Sequence, residues 1–78
     1  MPKKSDIIRL RHMLDASHKA VEFVRGKGRS DLYQDEKLAL ALVRLIEIIG
    51  EAAAKVSTQV QIKYAEIPWK EIIGRAAG

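Results

Sequence analysis

Two side chains near the start of the sequence, Arg11 and His18, are of types that could do chemistry together. They lie seven residues apart, two turns of a helix, so both would project from one ridge. An imidazole that moves a proton and a guanidinium that stabilises phosphorane-like charge can in principle cleave RNA. The competing interpretation, which we favour, is an ordinary charged face on which Arg11 pairs with Asp15 and His18 with Glu22 at four-residue spacings. His12 would point away from this ridge into solvent.

The usual signatures of enzymes are absent from the sequence. It contains no phosphate-binding or dinucleotide-binding glycine loop, no His-Glu-x-x-His motif, no cysteine and only two histidines. The Gly-Lys-Gly run at 26–28 is too short to count as a phosphate loop. The side chains that a metal site, a cofactor site or a nucleophilic triad would need are therefore scarce, and we expect no such site.

The length and composition describe one small globular domain. Its 78 residues are 47% hydrophobic and 31% charged, and a core of this size supplies only roughly 3–5 kcal/mol of stability. We therefore expect help from a second chain. The lack of cysteine and of any apolar run long enough for a signal peptide or a membrane span predicts a cytoplasmic protein.

The positive charge is concentrated in the first part of the chain. Residues 1–29 hold eight Lys or Arg against three acids, whereas residues 30–78 hold six against seven. The glycine-containing loop that carries Arg25, Lys27 and Arg29 is thus a candidate contact for RNA, DNA or an acidic protein. A solvated face is the alternative that we favour before other observations.

The first helix is predicted to start at Ser5, a good N-cap, with Asp6 in its first turn. It runs to about Arg25 with one apolar stripe, formed by Ile7, Leu10, Leu14, Val21 and Val24. The glycines at 26 and 28 end it, and either Asp31 or Asp35 can start the next helix.

The second helix, roughly Asp35 to Val56, is apolar over more than half of its circumference. Such a helix must be covered on two sides, and the chain has too little helix of its own to do so. Gly50 costs about 1 kcal/mol in a helix interior, which suggests close packing of another backbone against it. The predicted interface residues are Val43, Ile46, Gly50 and Trp69.

Two shorter elements follow. Ser57 or Thr58 is predicted to cap a short helical piece that ends near Tyr64, and Pro68 suits the first position of the last helix. Tyr64 and Trp69 could stack on bases, but we favour core or interface roles for both.

Three stretches together resemble the HepT-like family, prokaryotic all-α proteins of the HEPN group. They are "IIRLRHMLDA", "DEKLALALVRLIEIIGEAAAKV" and "YAEIPWKEIIG", and they span nearly the whole chain. The resemblance implies an all-α, antiparallel helical bundle that is incomplete as a single chain and is completed by dimerisation. It also implies metal-independent RNA cleavage and a minimal nucleotidyltransferase that acts as the antitoxin.

The working motif of that family is an Arg, usually followed by Asn, then a His after four to six residues and a Tyr two residues later. It would follow the last "IIG", but here Arg75 is followed by Ala76, and residues 75–78 hold no His or Tyr. The catalytic residues of the family therefore carry over to no position of this sequence. Residues 1–78 are expected to be a truncated HepT-like domain: a shortened or frameshifted copy, or a fragment.

Three functions remain open at this point. The first is the toxin component of a toxin-antitoxin pair, an RNA endonuclease in full-length form but catalytically incomplete in these 78 residues. The second is a non-catalytic helical partner or substrate-binding subunit of a nucleotidyltransferase. The third is simple nucleic-acid binding through the basic loop.

Overall fold

A computed structural model describes the backbone of residues 3–77 and the side chains of residues 3–74. Over this range every regular element is a helix, which confirms the predicted all-α class. The helices are α1 (Lys4–Val24), α2 (Arg29–Gln34), α3 (Glu36–Ala54), α4 (Thr58–Lys63) and α5 (Trp69–Ala77). Three of them, α1, α3 and α5, pack together as a bundle, with α3 in contact with both of the others.

Helix α1 begins earlier than the sequence suggested. Its N-cap is Lys3, and the backbone N–H of Lys3 donates to Asp6 Oδ2 at 3.2 Å. The prediction of Ser5 as the cap was wrong, because the Asp6 carboxylate at the third helical position already accepts from the cap residue. Ser5 lies exposed in the first turn.

The segment between α1 and α3 contains a short helix, α2, in which Asp31 is the third residue and not the cap, whereas Asp35 starts α3. Gly26 adopts φ +73°, a left-handed conformation that glycine allows without steric cost. The Gly28 N–H then donates to Asp31 Oδ2 at 2.7 Å at the start of α2. Asp35 is the N-cap of α3 and accepts from the Leu38 N–H at 3.0 Å. The predicted second helix is thus confirmed to within about two residues at its end.

The connections after α3 also follow the predicted capping. Ser57 caps α4 and accepts from the Val60 N–H at 3.4 Å, and α4 ends just before Tyr64 as expected. Pro68 lies one residue earlier relative to its helix than predicted, since α5 begins at Trp69. The Pro68 carbonyl accepts from the Ile72 N–H at 3.1 Å, which places proline at the helix boundary.

The hydrophobic core lies at one end of the bundle, where α1 begins, α3 ends and α5 begins. Its buried centre is Ala53, Val56, Val60 and Trp69. Half-buried side chains surround this centre: Leu10, Met13, Ile67, Ile72 and Ile73. Because α1 begins where α3 ends, the two helices are antiparallel. At the other end of this pair several large apolar side chains remain exposed.

Side-chain hydrogen bonds link the segments that surround this core. Trp69 Nε1–H donates to the Tyr64 carbonyl at 3.1 Å. The Gln61 side-chain amide donates to the carbonyls of Ala53 and Val56 at 3.2 and 3.0 Å. These last two bonds tie α4 to the end of α3, where the Ala53 carbonyl also accepts from the Val56 N–H at 3.2 Å. In the described part of the chain, no helix is both long and apolar enough to span a bilayer.

Candidate functional site

The one buried charged side chain among those described is Asp6, which is only 2% exposed. Its Oδ1 accepts from the Ser57 backbone N–H at 2.7 Å, and its Oδ2 accepts from Ser57 Oγ–H at 2.9 Å. The hydrogen bond from the Ser57 backbone is the main cause that lowers the pKa of Asp6, against the opposing effect of burial. This carboxylate is therefore a fixed acceptor that joins α1 to the α3–α4 connection, and not a proton donor.

The sequence did not predict these hydrogen bonds between Asp6 and Ser57. An acid in the first turn is explained by the helix dipole alone, and nothing local links it to a serine 51 residues later. The only available signal was that Ser57 follows directly after a helix whose end must approach the start of α1 in an antiparallel pair.

Arg11 and His18 are both exposed on α1. Neither of the two ion pairs expected for that ridge forms among the side chains that the structure describes. Glu22 instead pairs with Arg25, with 2.9 Å between Oε1 and Nη2. The two side chains thus lie exposed on α1 and outside the ion pairs of the described residues, and a role for them in cleavage stays the alternative that the sequence left open.

The basic loop has acidic neighbours that reduce its positive field. Arg25 is held by Glu22, and Lys27 lines a shallow depression together with Asp31, Asp35 and Glu36. Contact of Arg25, Lys27 and Arg29 with RNA remains a prediction, but it would compete with these carboxylates.

A cleft that the sequence did not indicate lies between α1 and α3. Its volume is about 220 Å³. Ala16, Leu45 and Ile48 form an apolar floor, and His12, Asp15 and Lys19 form a polar rim. Their spacing of three, four and seven residues places the three rim side chains along one side of α1. His12 is exposed, as predicted, and it borders this cleft.

The predicted interface residues separate into two groups. Val43 is 50% exposed and Ile46 is 47% exposed. Gly50 and Trp69 are buried within the chain itself. On α1, Leu14 and Val21 are also at least half exposed. We call Leu14, Val21, Val43 and Ile46 the open apolar face.

The four residues of the open apolar face lie on one side of the α1–α3 pair, the side on which α5 packs. Ile46 precedes Ala53, a neighbour of Trp69 in the core, by seven residues or two helical turns. Leu14 follows Leu10, which packs against the same core, by four residues. The open apolar face therefore continues the side that α5 covers farther along.

Among the described residues, no group of three or more His, Cys, Asp or Glu could hold a metal ion. What the structure brings together is a polar-rimmed cleft on one side of the α1–α3 pair and an open apolar face on the other.

Comparison with known families gives a match over most of the chain. A family model described as "Ribonuclease HepT-like" matches residues 13–75. A protein of Caldanaerobacter subterraneus subsp. tengcongensis named "Putative RNase" is 38% identical over 83% of this chain and 58% of its own length. A "Probable ribonuclease HepT" of Thermococcus cleftensis is 33% identical over 90% of this chain and 64% of its own.

A third relative carries a second activity in its name. The "Gamma-glutamylcyclotransferase and putative RNase" of Methanocaldococcus jannaschii is 36% identical over 88% of this chain and 31% of its own length. The chain thus spans less than two thirds of the length of these curated relatives. No solved structure matches it significantly.

Proposed function

Because this chain belongs to the HepT-like ribonuclease family, we propose that it is the helical toxin component of a prokaryotic toxin-antitoxin pair. In complete form it would be a metal-independent RNA endonuclease, held in check by a nucleotidyltransferase antitoxin. The match of the family model to residues 13–75, which runs from α1 into α5, is the observation that carries this proposal.

We further propose that these 78 residues alone do not cleave RNA. They lack an Arg followed at the family spacing by His and Tyr in the last helix. Arg11 and His18 are the available substitutes, and both are exposed on a ridge of α1. Positioning of reacting groups is a large part of catalysis, so such a ridge is a poor active site.

The test compares RNA cleavage by the 78-residue chain with cleavage by a full-length relative such as the Thermococcus protein. We expect cleavage by the relative and none by the chain, in the presence of a metal chelator. Cleavage by the chain that disappears in both Arg11→Ala and His18→Ala would overturn the proposal of catalytic incompleteness. No cleavage by the full-length relative would count against the endonuclease assignment itself.

A non-catalytic helical partner is the second candidate function, and the open apolar face favours it. A side of two helices with four half-exposed aliphatic residues is a typical contact surface for a protein. We propose that a second copy of the chain or the nucleotidyltransferase covers it, with a homodimer as the form of the isolated protein.

A matched pair of variants tests the homodimer by sedimentation at micromolar concentration. Ile46→Glu places a charge in the open apolar face, whereas Ile62→Glu makes the same change on α4, where Ile62 is 70% exposed. We expect a dimer for the parent and for Ile62→Glu, and a monomer for Ile46→Glu. A parent chain that is monomeric and captures no nucleotidyltransferase would remove the support for a partner role.

A further inference from the structure

We propose that the groove between α1 and α3, on the side opposite to α5, binds single-stranded RNA, with one base held in the cleft. The choice of RNA as the ligand rests on the function proposed above. The site itself rests on the placement of charged and apolar side chains in this chain.

Helical geometry separates this groove from the open apolar face. On α3, Lys37, Arg44 and Lys55 are spaced seven and eleven residues apart, so they form one line along the helix. This line is about half a turn away from Ala53, which packs beside Trp69 of α5. All three cations are exposed.

The α1 side of the groove carries an exposed lysine, Lys19, at the rim of the cleft. Lys19 follows Leu10 by nine residues, which is again about half a turn from a residue in contact with the core next to α5. His12 lies on the same side, and Arg9 is half-buried nearer to α3. Lys19 on α1 and the line of cations on α3 thus lie on the two sides of the cleft, where they can contact the phosphates of one strand.

The length of the groove fits a short stretch of nucleic acid. Lys37 and Lys55 are 18 residues apart, or about 27 Å along α3 at 1.5 Å per residue. Arg44 contributes less than the two lysines, because its Nη1 lies 3.4 Å from Glu47 Oε2 and 4.0 Å from Glu51 Oε1. Lys19, Lys37 and Lys55 are in no ion pair among the described side chains. Lys37 lines the same depression as Lys27, beside Asp31, Asp35 and Glu36, so Lys19 and Lys55 are the cations freest to contact phosphates.

The cleft at the middle of the groove has the features of a pocket for a base. Its floor includes Ala16 and Leu45, which are 4% and 7% exposed, and an apolar floor favours the faces of a heterocycle. Asp15 makes no hydrogen bond or ion pair within the described chain, so its carboxylate can accept from an amino group of the base. Phe23, four residues beyond Lys19 and 42% exposed, offers a stacking surface for the next base.

The basic loop provides a control with the same change of charge. One variant replaces Lys19, Lys37 and Lys55 by Ala, and the other replaces Arg25, Lys27 and Arg29 by Ala. Each lowers the formal net charge of +4 by three. The probe is a fluorescein-labelled 12-nucleotide RNA with 2′-O-methyl groups, which cannot be cleaved through its 2′-oxygens, so that binding is measured apart from catalysis.

Fluorescence anisotropy over a range of salt concentrations then separates the two surfaces. We expect the groove variant to lose at least tenfold in affinity at low salt. We also expect the dependence of affinity on salt to weaken. The slope of log K against log salt concentration should fall in magnitude by about 2, since each of three phosphate contacts in a single strand contributes about 0.7. The loop variant should stay within twofold of the parent. Equal losses of RNA affinity in both variants, or no binding by the parent, would overturn the proposal that RNA binds in the groove.

The two histidines give an independent readout in the unmodified protein. His12 borders the cleft, whereas His18 lies on the ridge with Arg11. Titration with the same RNA should shift the imidazole NMR signals of His12 and leave those of His18 unchanged. A shift of His18 alone, of both, or of neither would refute the site. The full-length relative would still be judged by its own cleavage assay, so this inference can fail while the proposed function stands.

Discussion

Replacement of Ser57 by alanine should destabilise the chain far more than its half-buried position suggests. The hydroxyl of Ser57 has two partners: it donates to the buried Asp6 carboxylate at 2.9 Å and accepts from the Val60 N–H at 3.4 Å. It therefore caps α4 and holds α1 against the end of α3 at the same time.

The size of the effect follows from these two bonds. Loss of an N-cap serine costs about 1 kcal/mol, and loss of a second intramolecular hydrogen bond costs about 1 kcal/mol more. Since a core of this size supplies only roughly 3–5 kcal/mol, this loss is a large share of the total stability. A loss of about 2 kcal/mol lowers the melting temperature of so small a domain by about 8–16 °C.

Urea and thermal unfolding, followed by circular dichroism at 222 nm, measure this change. Ser5→Ala is the matched control, because Ser5 resembles a cap in the sequence but lies exposed inside the first turn of α1. We expect Ser5→Ala to stay within about 0.5 kcal/mol of the parent, and Ser57→Thr, which keeps a hydroxyl, to retain most of the stability. Equal effects of Ser5→Ala and Ser57→Ala would refute the reasoning.

Two further predictions concern the same end of the bundle. The pKa of Asp6 is lower in the folded state than its ordinary value of 3.8, so its contribution to the free energy of unfolding is present above 3.8 and is lost as the pH falls below that value. In denaturant titrations at a series of pH values, Asp6→Asn should lose less stability than the parent between neutral and acidic pH. Parallel curves of the free energy of unfolding against pH would contradict a stabilising role for the ionised Asp6 carboxylate. Trp69→Phe removes the hydrogen bond to the Tyr64 carbonyl and part of a buried ring, and should cost about 2 kcal/mol. Tyr33→Phe, on a residue 82% exposed, should cost less than about 0.5 kcal/mol in the same denaturation experiment, and equal losses would argue against a core role for Trp69.

The helical class and the main helices were predictable, because long amphipathic patterns dominate this sequence. The apolar residues of α3 extend over more than half of its circumference, and this pattern predicted that one neighbouring helix would not cover them. The structure agrees, since Val43 and Ile46 remain about half exposed beside α1 and α5. Capping also carried information: Asp35 and Ser57 start helices in the way their side chains suggested.

The predictions failed where a feature depends on two parts of the chain that are distant in the sequence. Ser5 appeared to be a cap because local rules treat Asp6 only as a favourable charge. In the folded chain Asp6 accepts from the Lys3 N–H, which sets where α1 begins, and from Ser57, which holds α1 against the end of α3. The α1–α3 cleft was missed for a related reason, since its floor and rim come from two helices whose register no local pattern specifies.

The arrangement of α1 places its two histidines in different surroundings. His18 follows Leu14 by four residues and precedes Val21 by three, so it stands at the border of the open apolar face. His12 lies on the other side, at the cleft. If a second copy covers the open apolar face, as proposed, any chemistry at His18 needs that copy to supply the opposing wall, whereas RNA contact at His12 does not.

Dilution of the chain separates these two cases. As the concentration falls below the dissociation constant of the dimer, any cleavage that depends on His18 should fall with the dimer fraction. Binding of the uncleavable RNA in the groove should keep the same affinity per chain. An RNA affinity that falls in parallel with the dimer fraction would show instead that the groove of a single chain is not sufficient, and that the bound RNA contacts both copies.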